Sequence, residues 1–437
     1  MRSRLHGVRF SRNAIRIPYR SGFDPPHRFG VPARTARIEP GANALSDSDL
    51  LYADHHATTP VFPEVLDAMA PWAAFSGNPS SVHAGGRASR QAIERARADV
   101  AEAIGSRPEE IVFTSGGTES DNLAVRGGAI AAREKDPARA AVLFTAAEHP
   151  AVREAARSLV SLGFEAAEIA VDGFGLPRPE ALDARLDGRA ALVSSILANN
   201  ETGVVNGELP RLAARARAAG ALTHTDAVQA VGKIPVDVRD LGVDLLSLTA
   251  HKFGGPKGAG ALWVRTGTRL TSLFAGGGQE KGRRAGTENV AAIVGLAAAI
   301  RLAVSRMDSE SQRLAALRDR LEEGLRSAVP GLRVNGTGAG GPARLSTASS
   351  AVFPGVSGEL LLAALDLEGI AVSSGSACAS GTTKPSAVLV AMGLSSESAR
   401  GTLRFSFGWT TRPEEIDRLL AAVPRVWARA VRGPAAC

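Results

Sequence analysis

Residues 245–264 read LLSLTAHKFGGPKGAGALWV, in which two apolar runs flank a segment of glycine, proline and two lysines. Apolar runs of this length are typical of buried strands, and glycine with proline marks a turn between them. Lys252 therefore lies on a loop where a strand ends. An amine held there can lose its hydration and capture a carbonyl as a Schiff base. A solvated turn lysine has the same local sequence, so the rest of the chain must decide.

The same alternation of short apolar strands and amphipathic helices continues along the chain. Strands are predicted at 111–114, 141–145, 190–196 and 221–225, with helices at 118–130, 151–162 and 209–219. This order predicts an α/β fold with a mostly parallel sheet and helices on both faces. Ligands of such sheets collect at the carboxyl ends of the strands. Beyond residue 286 a long helical region and then short mixed elements predict a second, smaller α+β domain.

The net charge of +7 is concentrated at the start of the chain. Residues 1–46 hold nine arginines against Asp24 and Glu39, an excess equal to the charge of the whole chain. The remainder is therefore neutral, which gives a basic nucleic-acid-binding face no compositional support. We expect residues 1–46 to be a disordered, non-catalytic extension. An organellar transit segment and translation from an upstream start codon are the alternatives.

Membrane and disulfide classes find little support in the sequence. The longest apolar candidate, 290–304, is interrupted by Arg301 and is interpreted as a buried helix rather than a membrane span. The two cysteines, Cys378 and Cys437, suggest neither a disulfide framework nor a Cys-based metal site. A reducing compartment, the cytoplasm, is the expected location, with organellar targeting by residues 1–46 as the less favoured alternative.

A candidate phosphate site follows the strand predicted at 111–114. Residues 115–118 read SGGT and open a helix, whose first N–H groups and dipole attract an anion. The segment has neither the lysine of a nucleotide P-loop nor dinucleotide spacing, which favours the phosphate of a smaller cofactor. An ordinary capped helix start is the alternative.

Other polar residues also follow predicted strands. Asp226 ends one strand, and a buried carboxylate there requires a cationic partner. His149 lies between a strand and a helix, where its imidazole can cover a ring, although a capping histidine is equally compatible. The pair His55 and His56 is not a predicted zinc site, because neighbouring strand residues point to opposite faces. Lysine, carboxylate, phosphate cup and histidine together indicate pyridoxal phosphate.

Longer motifs then identify a family resemblance. They are YADHHATTP at 52–60, GGGQE at 276–280, RAGTEN at 284–289, SSGSAC at 373–378 and LRFSFG at 403–408. On these motifs the chain closely resembles the cysteine desulfurases, class V members of the aminotransferase superfamily, in the branch serving iron–sulfur cluster assembly and nitrogen fixation. The resemblance implies the type I fold of pyridoxal-phosphate-dependent transferases and covers nearly everything after residue 46.

The resemblance also implies a role for individual residues. Catalytic roles fall to Lys252, His149 and Cys378, and Asn200 with Arg404 is implied to bind the substrate, Arg404 through the carboxylate of L-cysteine. The residues implied to hold pyridoxal phosphate are Gly117, Thr118, His149, Asn200, Asp226, Gln229, Thr249, His251 and Lys252, with Thr287 supplied by the partner subunit of a homodimer. No resident metal is expected, and Cys378 is expected to meet an iron–sulfur cluster only transiently.

Cys378 lies in 373–381, a run of small residues with two glycines that predicts a mobile loop, whereas a lone cysteine is otherwise most often a buried apolar side chain. The resemblance implies that its thiolate takes the sulfur of cysteine, releasing alanine and leaving a persulfide for a cluster scaffold or thiolation carrier. Cys437 matches nothing in the family and receives no role.

We expect four parts along the chain: the extension 1–46, a segment 47–61 that packs with the small domain, a cofactor-binding domain 62–307 and a small domain 308–437. Two other functions stay open at this point. A selenocysteine lyase or another class V aminotransferase would share the fold. A non-catalytic binding or regulatory protein, with its basic arm on nucleic acid, would also share it but would not need Lys252 and Cys378.

Overall fold

Within residues 50–374 and 384–432, which the computed structural model describes, the strands form three sheets. The strands are β1 Leu51–Tyr52, β2 Ile111–Thr114, β3 Ala141–Thr145, β4 Glu165–Ile169, β5 Ala190–Ser194, β6 Leu222–Asp226, β7 Leu245–Thr249, β8 Gly260–Val264, β9 Arg333–Val334, β10 Ala348–Val352, β11 Ile370–Ala371 and β12 Thr402–Ser406.

The largest sheet has seven strands in the order β2-β8-β7-β6-β5-β3-β4. Strands β3 to β7 pair in parallel, and only β8 runs antiparallel to its neighbours β7 and β2. Every residue of β2, β3, β5, β7 and β8 is buried. Burial on both faces explains why these strands read as continuous apolar runs rather than as alternating patterns. The predicted mostly parallel sheet is confirmed.

Helices cover both faces of this sheet. The helices are α1 Pro63–Ala73, α2 Ala84–Ala103, α3 Gly117–Asn122, α4 Gly128–Lys135, α5 Pro150–Ser158, α6 Pro179–Asp183, α7 Leu209–Ala218, α8 Val238–Leu241, α9 Val290–Ala328, α10 Gly358–Asp366, α11 Ala387–Ala391, α12 Ser396–Arg400 and α13 Pro413–Arg432. Successive residues of β3 show the two faces: Leu143 packs in the cluster that contains α2, α7 and α9, and Phe144 in the cluster that contains α4 and α5.

A second hydrophobic core surrounds the smaller sheets. Strand β10 pairs antiparallel with β9 and β12, and β1 pairs in parallel with β11. Helices α10 and α13 cover this core, which contains Leu361, Phe405 and Val423. Strand β1, the first element within the described residues, therefore joins this second core rather than the large sheet.

Helix α9 is one continuous element that contributes to both cores. Its residues 292–303 pack in the first core and residues 314–325 in the second, so the boundary predicted near 307 falls inside it. By length and composition alone α9 could cross a membrane. Half of that apolar window is buried inside the protein, and α9 packs against α1 and α2, so the helix is part of the core.

Local differences from the predicted elements have physical reasons. The predicted helix 118–130 is α3 and α4 joined by a π-helical turn at Leu123–Gly127, which accommodates one extra residue per turn. The strand predicted at 221–225 is Leu222–Asp226, so Asp226 is itself the last residue of β6.

The second core gives a test of packing. Leu361 is fully buried in α10, whereas Leu367, just beyond the end of this helix, is 89% exposed. Leu361→Ala is expected to lower the free energy of unfolding by about 2–5 kcal/mol, because it leaves a cavity. Leu367→Ala should change it by less than about 0.5 kcal/mol. Urea unfolding followed by circular dichroism measures both, and equal effects would contradict this assignment of the core.

Candidate active site

A cleft of about 340 Å³ opens where β2, β3, β5, β6 and β7 end. Strands that run in the same direction bring their carboxyl ends to one edge of the sheet, so residues far apart in sequence meet there. Ten predicted site residues line the cleft: Gly117, Thr118, His149, Asn200, Asp226, Gln229, Thr249, His251, Lys252 and Arg404. Thr287 is exposed and does not line it. Cys378 and Cys437 lie outside the described residues.

Lys252 enters the cleft from a tight turn. Strand β7 ends at Thr249 and is followed by a 3₁₀ turn, Ala250–Lys252. Gly254 then adopts φ +86°, and a Cβ there would lie 2.3 Å from the Phe62 ring, so only glycine fits. The Lys252 amine donates hydrogen bonds to the carbonyl oxygens of His56 at 2.6 Å and Ala57 at 2.8 Å. The amine is therefore held at a defined point of the cleft wall.

The phosphate cup predicted at 115–118 is present as the start of a helical run. Helix α3 begins at Gly117, and its first N–H groups have no partner within the helix. A Cβ on Gly117 would lie 2.9 Å from the Val228 side chain, and one on Gly260 would lie 2.7 Å from the backbone of Gly116. Close packing of bare backbone thus forms the floor of the cup.

His251 lies beside this cup. Its Nδ1 is buried without a hydrogen-bond partner. Burial, with Lys252, Lys257 and Lys233 adding to it, lowers the pKa of His251 to about 4. A neutral imidazole with an unpaired ring nitrogen can accept or donate one hydrogen bond to a ligand.

Asp226 is a buried carboxylate at the inner end of the cleft. One oxygen accepts the Val228 N–H at 2.8 Å. Burial raises the pKa of Asp226 to about 6, although the Val228 bond and the charge of Lys252 oppose the increase. A cation brought to this oxygen would restore the ionised form.

His149 forms another wall of the cleft and caps α5 by accepting the Ala151 N–H at 3.1 Å on Nδ1. Burial lowers its pKa to about 4, with Lys252 and Arg153 contributing. The imidazole is therefore neutral at physiological pH, as a group that covers a ring should be.

Sequence reasoning missed a second buried carboxylate, Asp121. It is 1% exposed, lies 3.5 Å from Nε2 of His224, and has one oxygen without a hydrogen-bond partner. Burial and the nearby Asp226 raise the pKa of Asp121 well above its usual range. Its position three residues after Thr118, on the same helical face, was the available signal.

Sequence reasoning also missed the part played by the backbone of His56. Its carbonyl accepts from both Lys252 and Gln229, and its ring bonds to the Asn200 carbonyl at 3.1 Å and the Thr347 hydroxyl at 2.9 Å. The two histidines do not act as a pair, because the ring of His55 turns instead to the Thr59 hydroxyl at 2.7 Å.

Arg404 reaches the cleft from β12, in the second core. Its guanidinium donates to Asp54 at 2.6 Å and to the Asn200 carbonyl at 3.0 Å, while its buried Nε has no hydrogen-bond partner. The side chain is only 2% exposed. One edge of a desolvated fork is thus available to a carboxylate.

The residues present fit pyridoxal phosphate. The bare glycine cup and the unpaired His251 nitrogen suit a phosphate, and the buried carboxylates Asp226 and Asp121 suit a protonated ring nitrogen. Ligand atoms of Asp121, His149 and Asp226 also lie within 4.8 Å of one another, close enough to share a metal ion. An anion cup and an amine in the same cleft are not explained by a metal ion, whereas a phosphorylated aldehyde uses all of them.

Comparisons with known proteins agree with this geometry. Residues 51–419 match the family model of the class V aminotransferases. The cysteine desulfurase IscS of Dictyoglomus turgidum is 44% identical over 377 residues, covering 86% of this chain and 94% of that protein. A solved NifS-like protein superposes with a TM-score of 0.79 at 34% identity, over 87% of this chain and 99% of its own. SspA, solved in complex with cysteine, superposes with a TM-score of 0.71 at 33% identity, over 82% and 98%.

Close packing at the floor of the cup predicts that adding one methyl group at Gly260 weakens cofactor binding. In Gly260→Ala the new Cβ would meet the Gly116 backbone at 2.7 Å and displace the cup. Binding of pyridoxal phosphate should weaken roughly tenfold or more, since such overpacking costs about 1–3 kcal/mol. Gly207→Ala is the matched control, because nothing lies within 4 Å of its Cβ. Titration of the cofactor-free proteins by absorbance measures both, and similar affinities would refute the packing argument.

The raised pKa of Asp226 predicts that this residue lowers the free energy of unfolding in a pH-dependent way. Its pKa is raised from 3.8 to about 6 by burial, so the folded protein loses stability as pH rises from about 4 to about 6. Cofactor-free Asp226→Asn should therefore be more stable than the parent at pH 7, by about 3 kcal/mol, with the difference vanishing below pH ~4. Urea unfolding at both pH values tests this, with the exposed Asp240→Asn as control. A variant less stable at pH 7 would contradict it.

Proposed function

The chain belongs to the class V aminotransferase family and is a pyridoxal-phosphate-dependent cysteine desulfurase, and we propose that its described residues work with Cys378 to convert L-cysteine into L-alanine and an enzyme-bound persulfide. The observation that carries the proposal is the convergence of Lys252, Asp226, the glycine cup and Arg404 on one cleft. Each of these features is common by itself. A phosphorylated aldehyde and an amino acid bound together would contact all four.

The cofactor would be held at both ends. The helix start at Gly117 and Thr118, with Thr249 and His251, would bind the phosphate, and Asp226 would pair with the ring nitrogen. His149 would contact the ring, and Gln229 and Asn200 would contact its polar substituents or the substrate. When bound, pyridoxal phosphate supplies an aldehyde that amines can capture and a ring that accepts electron density from the substrate α-carbon.

Lys252 would transfer protons at its Nζ. The amine rests on two backbone carbonyls, and these acceptors would hold it close while the substrate amino group takes its place. From there Nζ would remove the proton from the substrate α-carbon and return one to the product. His149 is neutral, so it does not act as a second cation that pairs with Asp226.

Arg404 would bind the substrate carboxylate. The fork already carries Asp54 on one edge, so the carboxylate would take the edge at Nε, whose hydrogen-bond capacity is unused. Binding an anion at this buried site also removes an unsatisfied donor, which stabilises the complex.

Cys378 would take the sulfur. Its thiolate would attack the substrate sulfur, forming an S–S bond as the carbon–sulfur bond breaks, and the released carbon would be protonated to give alanine. The sum is cysteine plus enzyme thiol giving alanine plus enzyme persulfide, which needs no external oxidant or reductant. The persulfide would then pass to an acceptor protein, a cluster scaffold or a thiolation carrier.

A homodimer would complete the site with Thr287 from the partner subunit. In its own chain this threonine is exposed, but the loop before it is firmly held. Glu280 accepts two bonds of 2.7 Å from Arg97, and Arg284 donates to Glu119 at 2.8 Å. Glu280 and Lys281 both adopt positive φ, a conformation that the anchored loop must impose on them. An exposed but rigid loop is suited to entering a neighbouring active site.

The proposed function is tested first on the purified parent protein. Its visible cofactor absorbance should shift when cysteine is added under a reductant, and alanine should equal sulfide. Parallel assays with selenocysteine decide between the desulfurase and a lyase specific for selenocysteine. A colourless protein, or an absorbance that cysteine does not perturb, would refute the proposal.

Cys378→Ala separates the sulfur step from substrate binding. The variant should keep the cofactor absorbance and its response to cysteine, while sulfide and alanine formation fall by at least about 10²-fold, because the nucleophile is missing. Cys437→Ala is the matched control and should retain activity. Undiminished turnover by Cys378→Ala would show that another group accepts the sulfur.

A further inference from the structure

Gln229 and Lys233 line different cavities. Gln229 lines the cofactor cleft with Lys252. A smaller cavity of about 70 Å³ is lined by Lys233 and also by Lys252, but not by Gln229. Lys233 is absent from the lining of the cleft, so it cannot touch cofactor or substrate directly. The Gln229 amide connects Lys233 to the cleft by hydrogen bonds, and the charge of Lys233 also contributes to the lowered pKa of His251.

Hydrogen bonds connect the two cavities. The Lys233 amine donates to Oε1 of Gln229, and Nε2 of Gln229 donates to the His56 carbonyl at 2.9 Å. The same carbonyl accepts from Lys252 at 2.6 Å. A lysine amine offers donors to an amide oxygen and a carbonyl can only accept, so the partners themselves determine which end of the Gln229 amide faces which way.

Close packing fixes the position of Lys233. Gly232 before it adopts φ +76°, and a Cβ there would lie 2.9 Å from the Ala303 side chain and 3.0 Å from that of Phe253. The chain therefore passes against α9 with no room to shift. Burial, with the charges of Lys252 and Arg404, lowers the pKa of Lys233 well below its usual range. The other charged or titratable groups lining the same cavity are His55, Lys252, Arg306 and Glu310.

We propose that Lys233 is a positioning residue that fixes the Gln229 amide with its N–H edge toward the cofactor cleft. The inference rests on the proposed function and identifies what this wall selects. With Oε1 engaged by Lys233 and one N–H on the His56 carbonyl, the second N–H of Gln229 is the group left to meet a ligand. The Gln229 amide therefore donates a hydrogen bond into the cleft. It favours a cofactor that presents an anionic or hydrogen-bond-accepting oxygen at this wall. An amino or neutral carbon substituent would leave the N–H unpaired.

The bond works in either protonation state of Lys233, because both the ammonium and the neutral amine donate. Its loss would leave the amide held by its bond to the His56 carbonyl without the support of Lys233, so the second N–H would be held less firmly toward the cleft. Weaker donation to the phenolic oxygen of a bound cofactor would destabilise the anionic form of that oxygen. The pH midpoint of the cofactor absorbance reports this directly.

The test compares Lys233→Met, Lys233→Arg and the parent as holoenzymes. In Lys233→Met the pH midpoint of the visible cofactor absorbance should move upward by about half a unit or more, and cofactor affinity should fall roughly threefold or more. Lys233→Arg retains a donor and should restore the parent midpoint. Lys135→Met, at an exposed lysine ending α4, is the matched control and should not move it.

A midpoint in Lys233→Met identical to the parent overturns the inference while leaving the proposed function intact. Failure of the parent to show any cofactor absorbance overturns both. If Lys233→Met does not fold, Lys233→Leu makes the same test, because it also removes the donor to Gln229 while leaving Gln229 unchanged. The midpoint should again rise, and an unchanged midpoint in that variant overturns the inference.

Discussion

Acidic side chains buried beneath the cleft are the constraint on which this site depends. Asp226 and Asp121 lie close together with Glu148 nearby, and burial raises the pKa of all three, to about 6 for Asp226 and about 8 for Glu148. His224 among them cannot neutralise them, since burial lowers its pKa to about 3. The proposed pairing of a protonated ring nitrogen with Asp226 would supply the missing charge. The fold thus carries an electrostatic cost that binding of the cofactor would offset, a common exchange of stability for function.

Two hydrophobic cores meet around the cleft. Strands of the first core end at or just before Asp226, Lys252 and the glycine cup, whereas Arg404 comes from β12 of the second core. The segment around Asp54 connects them, because Asp54 bonds to Arg404 and the next carbonyls along the chain receive Lys252. The residues proposed for substrate binding and for proton transfer are therefore both held by one short stretch of backbone, and α9 packs in both cores.

Groups behind the lining residues hold the site in shape. Lys233 supports Gln229, Thr347 and the Asn200 carbonyl hold the ring of His56, and Arg97 fixes Glu280 in the loop before Thr287. These supports are largely buried, so their hydrogen bonds are strong and costly to leave unmade. Lys233, Thr347 and Arg97 do not line the cleft, so they act on it through the residues that they hold.

The sequence by itself determined the strand ends, the mostly parallel sheet, and the residues Lys252, Asp226, His149 and the glycine cup, because these depend on local patterns of apolar runs, glycines and polar residues at strand termini. The predicted strand 221–225 differs from β6 by one residue at each end, and Asp226 lies at its carboxyl end as predicted. The tertiary structure alone decided that Lys252 rests on a carbonyl 196 positions earlier, that Asp121 lies beside His224, and that Arg404 shares its fork with Asp54. Such contacts join residues that no local pattern relates. They exist only because packing of the two cores brings the strand ends, the N-terminal segment and β12 to the same place.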